Sequence, residues 1–208
     1  DDVIEVMASE PKICPAINLP IQSGSNRILK KMNRGYTVEH YEEIVNHIRE
    51  AVPEVAITSD LIVGFPGEAE DDFKDTLEML KRMQFDLVHT AAYSPRNGTP
   101  AAVMPDQVPE EEKKRRLAIV NELQDGISLQ KNLSLIGNVV EVLIDGYAPK
   151  GKSMLQGRTP TDKVVLIPGD EDMLGKLCQV HVTNASHWYL YGEIISSKDF
   201  SDVLEVKL

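Results

Sequence analysis

The hydrophobic periodicity of this chain changes character once, and that change limits its fold more than any single motif does. Up to about residue 104, short apolar runs alternate with helical patterns. Residues 17–21 form a strand pattern closed by Gln22-Ser23-Gly24-Ser25. Thr37 heads a helix in which Tyr41, Ile44, Val45 and Ile48 share one face. Residues 55–63 are mostly apolar around Asp60, the pattern of a strand buried on both faces, and Gly64-Phe65-Pro66-Gly67 breaks the run. Glu68, Glu70, Asp71 and Asp72 crowd the start of the next helix, with Lys81 and Arg82 near its end, as the helix dipole favours. Phe73, Leu77 and Leu80 give that helix its apolar face, and residues 87–93 read as a third strand. This order predicts an α/β domain of parallel βα units with ligands at the carboxyl ends of the strands.

Beyond residue 104 the pattern is different. Pro95, Pro100, Pro105 and Pro109 mark a boundary, and a charged helix starts near Glu110. Its stripe of Leu117, Val120, Leu123 and Ile127 is suited to packing on the first domain. From about Ile136, residues 139–145, 163–167, 179–183 and 188–195 are strand candidates separated by Gly146, Gly151, Gly157, Gly169 and Gly175. Short strands at this spacing predict a small antiparallel, OB-like barrel. The expected organisation is therefore 1–104, a linking helix over 105–135, and 136–208.

Charge and cysteine content exclude several classes. With 33 acidic and 22 basic residues the net charge is -11, which argues against a protein that coats nucleic acid but permits a local basic patch. Two cysteines, Cys14 and Cys178, argue against a secreted disulfide scaffold, and both read as buried small hydrophobes. No apolar run approaches the roughly 18 residues of a membrane span. The chain opens on Asp1 without a signal-peptide pattern, so it reads as a piece of a longer cytoplasmic protein.

Three loops have the composition of binding sites. The turn at residues 22–25 can aim backbone N–H groups and a carboxamide at a ligand, and it feeds a segment carrying Arg27, Lys30, Lys31 and Arg34 with no acid between them. Asp60 needs a hydrogen-bond partner inside its strand, and Gly64 and Gly67 allow close backbone approach. Tyr93 and Arg96 stand at the end of the third strand. From the residues alone, the first loop reads more readily as a turn beside a solvated helix face, while Asp60 is equally readable as a structural acceptor and the third loop as a surface turn. His40, His47, His89, His181 and His187 lack metal-ligand spacing, and no nucleophile elbow or Walker phosphate loop is present.

Taken together, residues 19–25 (Leu-Pro-Ile-Gln-Ser-Gly-Ser), 32–37 (Met-Asn-Arg-Gly-Tyr-Thr), 60–68 (Asp-Leu-Ile-Val-Gly-Phe-Pro-Gly-Glu) and 93–99 (Tyr-Ser-Pro-Arg-Asn-Gly-Thr) resemble the radical SAM methylthiotransferases. Residues 157–165 (Gly-Arg-Thr-Pro-Thr-Asp-Lys-Val-Val) resemble their TRAM domain, and are closer to the tRNA-modifying MiaB type than to the type acting on a ribosomal protein. The resemblance implies the later strands of a partial (β/α) radical SAM barrel followed by TRAM. It implies S-adenosylmethionine held by Gln22, Ser23, Arg34, Asp60 and Gly64, with Gln22 and Asp60 on the ribose hydroxyls and Arg34 on the methionine carboxylate. Glu68 follows Gly64 by four residues rather than the family's three, so it receives no contact.

The implied reaction adds a methylthio group to C2 of N6-isopentenyladenosine beside the tRNA anticodon. In it, a reduced cluster cleaves S-adenosylmethionine, the adenosyl radical removes the C2 hydrogen, and an auxiliary cluster presents the sulfur. Two 4Fe–4S clusters on three cysteines each are implied for the parent protein, and their ligands are absent from this chain. The TRAM part is expected to contact the tRNA anticodon stem-loop through Lys150, Lys152, Arg158 and Lys163, which with Asp162 give a local +3. Trp188 and Tyr189 offer base-stacking rings, with a core position the favoured role for Trp188. Related alternatives are action on threonylcarbamoyladenosine or a ribosomal protein, and a different class is a non-catalytic RNA-binding module. An incomplete barrel would expose a sheet edge through which two copies could associate.

Overall fold

The computed structural model describes residues 2–148 and 154–199. These form two compact units, one of residues 2–13 and 17–127, the other of residues 14–16 and 128–199.

The first unit runs α1 (Asp2–Ser9), β1 (Ala16–Asn18), α2 (Asn26–Lys31), α3 (Val38–Ala51), β2 (Ala56–Val63), α4 (Glu70–Met83) and β3 (Leu87–Ala92), then enters α5 (Glu110–Leu133). The sheet order is β1-β2-β3. β2 and β3 are parallel, with Thr58 opposite Leu87 and Val63 opposite Ala92. β1 is shorter than its apolar run because Pro20 has no N–H to give the ladder. The chain nevertheless follows β2: the Leu19 N–H donates to Thr58 O at 2.9 Å, the Ile21 N–H to Ser59 Oγ at 3.0 Å, and Gln22 bridges to Leu61.

β2 corrects the expectation of burial on both faces. Ile57, Ser59, Leu61 and Val63 are buried, whereas Thr58, Asp60 and Ile62 between them are partly exposed. The helices cover one face only. That face packs Ile57, Leu61 and Val63 with Tyr41, Val45 and Ile48 of α3, Phe73, Leu80 and Met83 of α4, and Val120 of α5. α3 starts where its cap predicts, with the His40 N–H donating to Thr37 Oγ1 at 3.3 Å. In α4 the buried face is Phe73, Thr76, Met79, Leu80 and Met83, with Leu77 at its border. In α5, Val120 and Ile127 are buried and Leu117 and Leu123 half-buried, as the stripe predicts.

The second unit is a closed barrel, β4-β5-β6-β8-β7, built from β4 (Val139–Tyr147), β5 (Leu155–Arg158), β6 (Val164–Ile167), β7 (Lys176–Ala185) and β8 (Leu190–Asp199). All its pairings are antiparallel except β6 with β8. Val142, Ile144, Leu155, Val165, Ile167, Cys178, Val180, Val182 and Leu190 fill it. Gly157 proves to be inside β5 and not a separator, because a Cβ there would collide with the Leu143 backbone and Val142 of β4.

Two further expectations are corrected. Cys178 is buried, but Cys14 is exposed in the connection between α1 and β1. Trp188 is not a core residue: β8 begins only at Leu190, which leaves the indole 54% exposed in the preceding loop. Among the described residues no helix is long and apolar enough to cross a membrane.

Candidate functional site

Gln22, Ser23, Asp60 and Gly64 lie where the chain leaves β1 and β2, whereas Arg34 follows α2. Gln22 has φ 72°, a left-handed conformation uncommon for a residue with a Cβ. Two main-chain bonds hold it there: its N–H donates to Asp60 O at 2.9 Å, and its carbonyl accepts the Ile62 N–H at 3.0 Å. Asp60 projects from the uncovered face of β2, where Asn18 Nδ2 donates to its Oδ2 at 3.1 Å. Asn18 Oδ1 in turn accepts from Thr58 Oγ1 at 3.0 Å, and His89 is the register partner of Asp60 on β3. Asn18 is thus the partner that Asp60 required. It and His89 escaped the sequence reading, although each is a polar residue within an otherwise apolar strand.

Ser23 and Gly64 occupy buried positions with internal partners. Ser23 Oγ accepts the Ser25 N–H at 3.2 Å. Gly64 has φ 72°, its N–H donates to Glu68 Oε2 at 2.6 Å, and a Cβ there would run into the Lys113 side chain. The glycine is therefore required by its own turn and by α5, before any ligand is considered. Arg34 lies past the end of α2, after Asn33 at φ 58°, exposed and with no acid paired to it among the described residues. Arg27 is half exposed, in keeping with the basic run, but it is not unpaired. It pairs with Asp72 and donates to Gly67 O at 2.6 Å, tying the residue 23–27 loop to the residue 64–69 loop. Asp72 also accepts from Ser25 Oγ at 2.6 Å and from the Ala69 N–H at 2.7 Å. Burial alone would raise the Asp72 pKa, but these donors outweigh it and hold the carboxyl below its usual range.

Behind the Gly64 turn lies a buried charged group that the sequence reading missed. Glu68 and Arg116 are 1% and 5% exposed and pair at 2.7 Å. Arg116 also donates to the Glu68 carbonyl at 3.0 Å and to Glu112 at 2.7 Å. Burial raises the Glu68 pKa against the pull of Arg116 and the Gly64 N–H. The Lys113 ammonium bonds Glu110 at 2.7 Å and stands 5.5 Å from the centre of the Tyr93 ring. Tyr93 packs edge-on against Phe65. The only hint in the sequence was the basic run behind Glu112, which reads as solvated until the loop folds onto it. A separate cleft of about 490 Å³ opens among α2, α3 and α4, lined by Ser25, Arg27, Glu39, Asp72 and Arg82, and involves none of Gln22, Arg34 or Asp60.

In the barrel, Arg158 pairs with Asp162 and also with Asp145 at 3.5 Å. β4–β5 pairing brings in Asp145, an acid that the linear count of the patch omits. Lys163 Nζ donates to Asn132 Oδ1 at 3.0 Å. Lys150 and Lys152 lie outside the described residues.

Comparison with known proteins now bears on these loops. Residues 1–80 match the Radical SAM superfamily and residues 133–195 the TRAM domain. The chain is 49% identical over 195 residues to a protein of Carboxydothermus hydrogenoformans named tRNA-2-methylthio-N(6)-dimethylallyladenosine synthase, covering 94% of this chain and 44% of that one. Proteins of the same name from a Thermoanaerobacter species and Moorella thermoacetica are 49% and 48% identical, with 41% and 44% of their lengths covered. The chain joins a radical SAM segment to a TRAM domain and is similar to these synthases along nearly its whole length. It spans about two fifths of the length of these curated relatives. The three-stranded sheet lies mainly in the radical SAM segment, and the five-stranded barrel is the TRAM part of the fold.

The family implies S-adenosylmethionine and iron–sulfur clusters, and the residues fit the two differently. An uncommitted guanidinium at Arg34, the strained Gln22 and a carboxylate on an uncovered polar face match the carboxylate and diol of the cofactor. A cluster does not fit. The chain has two cysteines, and among the described residues no three His, Cys, Asp or Glu side chains are grouped to hold a metal.

Proposed function

We propose that this chain is part of a methylthiotransferase that adds a methylthio group to C2 of N6-isopentenyladenosine next to the anticodon of tRNA. The observation that carries the reading is the uncovered face of β1, β2 and β3, with Asn18, Thr58, Asp60 and His89 on it and Gln22 at its rim. The printed name of the relatives supports the substrate. In this reading Gln22 and Asp60 take the ribose hydroxyls, with Asn18 fixing the carboxylate so that its second oxygen accepts. Arg34 takes the methionine carboxylate in a charge-assisted bond. Ser23 and Gly64 act by shaping the two loops that receive the cofactor. S-adenosylmethionine, when bound, supplies the means of abstracting the C2 hydrogen; no step through a cluster is assigned to this chain's residues.

The TRAM barrel contributes grip on the tRNA anticodon stem-loop through Lys150, Lys152, Arg158 and Lys163, and a tRNA substrate implies a cytoplasmic enzyme. β1 is an edge strand, available to further strands of a larger barrel or to a second copy.

The test is calorimetry of S-adenosylmethionine with the full-length protein. Arg34→Ala is expected to weaken binding by about 1.5–3 kcal/mol, the worth of a hydrogen bond to a charged group. Unchanged affinity would reject the assignment.

A further inference from the structure

We propose that Trp188, seated against His187 on a loop that shares Asn132 with the Lys163 ammonium, is a stacking platform for an unpaired base of a bound RNA; this rests on the RNA-binding reading above. The loop joining β7 to β8 is pinned from within. The Ser186 N–H donates to Tyr189 O at 2.7 Å, and the Tyr189 N–H donates to Ser186 Oγ at 3.0 Å. The buried side chain of Asn132 holds the loop from below, its Nδ2 donating to Ser186 O at 2.9 Å and to His187 O at 3.3 Å. A loop held by this many bonds could tuck its largest ring into the barrel, yet the indole is 54% exposed. His187 supports it, the ring centres 5.4 Å apart and the planes tilted by 58°.

The same Asn132 joins a cation to this loop. Its Oδ1 accepts from Lys163 Nζ at 3.0 Å, so one amide holds both the aromatic loop and the ammonium. A flat π-face on a loop tied to a positive charge matches a nucleotide, whose base stacks without demanding a particular sequence and whose phosphate is drawn to the ammonium. The pinned loop is pre-organised, so little ordering cost opposes binding.

Trp188 is the only tryptophan in the chain, so its emission reports the stack directly. The chain is titrated with an RNA stem-loop and, separately, with a fully paired duplex of the same stem. Binding is followed by anisotropy of labelled RNA, and the indole by emission with unlabelled RNA. The stem-loop is expected to quench Trp188 in step with binding, and the duplex to bind without quenching. Trp188→Ala should weaken stem-loop affinity about tenfold or more, and Trp188→Tyr should retain most of it. Stem-loop binding with unchanged emission and unchanged Trp188→Ala affinity overturns the platform and leaves the RNA reading standing. Equal quenching by the duplex also overturns it. If neither RNA binds, both readings fail.

Discussion

Asp72 concentrates more of the first unit's local order than any neighbour: it receives Arg27, Ser25 and the Ala69 N–H at the junction of two loops. Its pKa in the folded chain lies below the ordinary aspartate value, because those donors favour the charged form more than burial disfavours it. Its contribution to stability is therefore complete above the unfolded value of about 3.9 and is lost as pH falls through the lower folded value. Glu112 acts in the same sense, drawn down to about 2, chiefly by its hydrogen bond from Arg115. Urea denaturation across a pH series is expected to show stability falling below about pH 4, and Asp72→Asn should flatten that acid limb. An unaltered limb would mean that other carboxylates dominate. The need of Asp60 for a partner was legible in the sequence, since a carboxylate within an apolar run must be satisfied. That Asn18 meets the need was not, because the two residues come together only when β1 lies along β2.

At the scale of elements, close approach of main chains decides several positions. Gly24 faces α4 so closely that a Cβ would collide with the Thr76 backbone, which cannot rotate away. Gly24→Ala is expected to destabilise the protein by about 1–3 kcal/mol, read as a lowered denaturation midpoint at unchanged m value. A neutral result would show that α4 shifts freely. α3 and α5 were legible because a cap or a charge boundary joins a clear helical stripe. β1 came out short because Pro20 interrupts its ladder, and β5 was missed because Gly157 reads as a turn residue until β4 is seen against it. Glu68 looked like part of the acidic start of α4, yet the helix begins at Glu70 and Glu68 turns inward to Gly64 and Arg116.

For the whole molecule, the net charge of -11 makes any RNA affinity a local matter. Arg158 is already compensated by Asp145 and Asp162. A compensated cation releases fewer counterions when it meets a phosphate. Arg158→Ala is therefore expected to reduce the slope of log affinity against log salt by clearly less than about one. A full unit of change would mean that RNA displaces the two carboxylates from Arg158.

Read by itself, the sequence determined what depends on neighbours in the chain: the α/β-then-β order, the caps, the family motifs, and a cysteine count too small for a cluster. Only the tertiary structure decided which surfaces stay open. Helices cover one side of β2 and leave Asp60 uncovered, α5 closes over Gly64 with Lys113 and Arg116, and the barrel ends its strand pairing before Trp188. The physical reason is that periodicity records the repeat of an element, whereas burial depends on what distant residues pack against it.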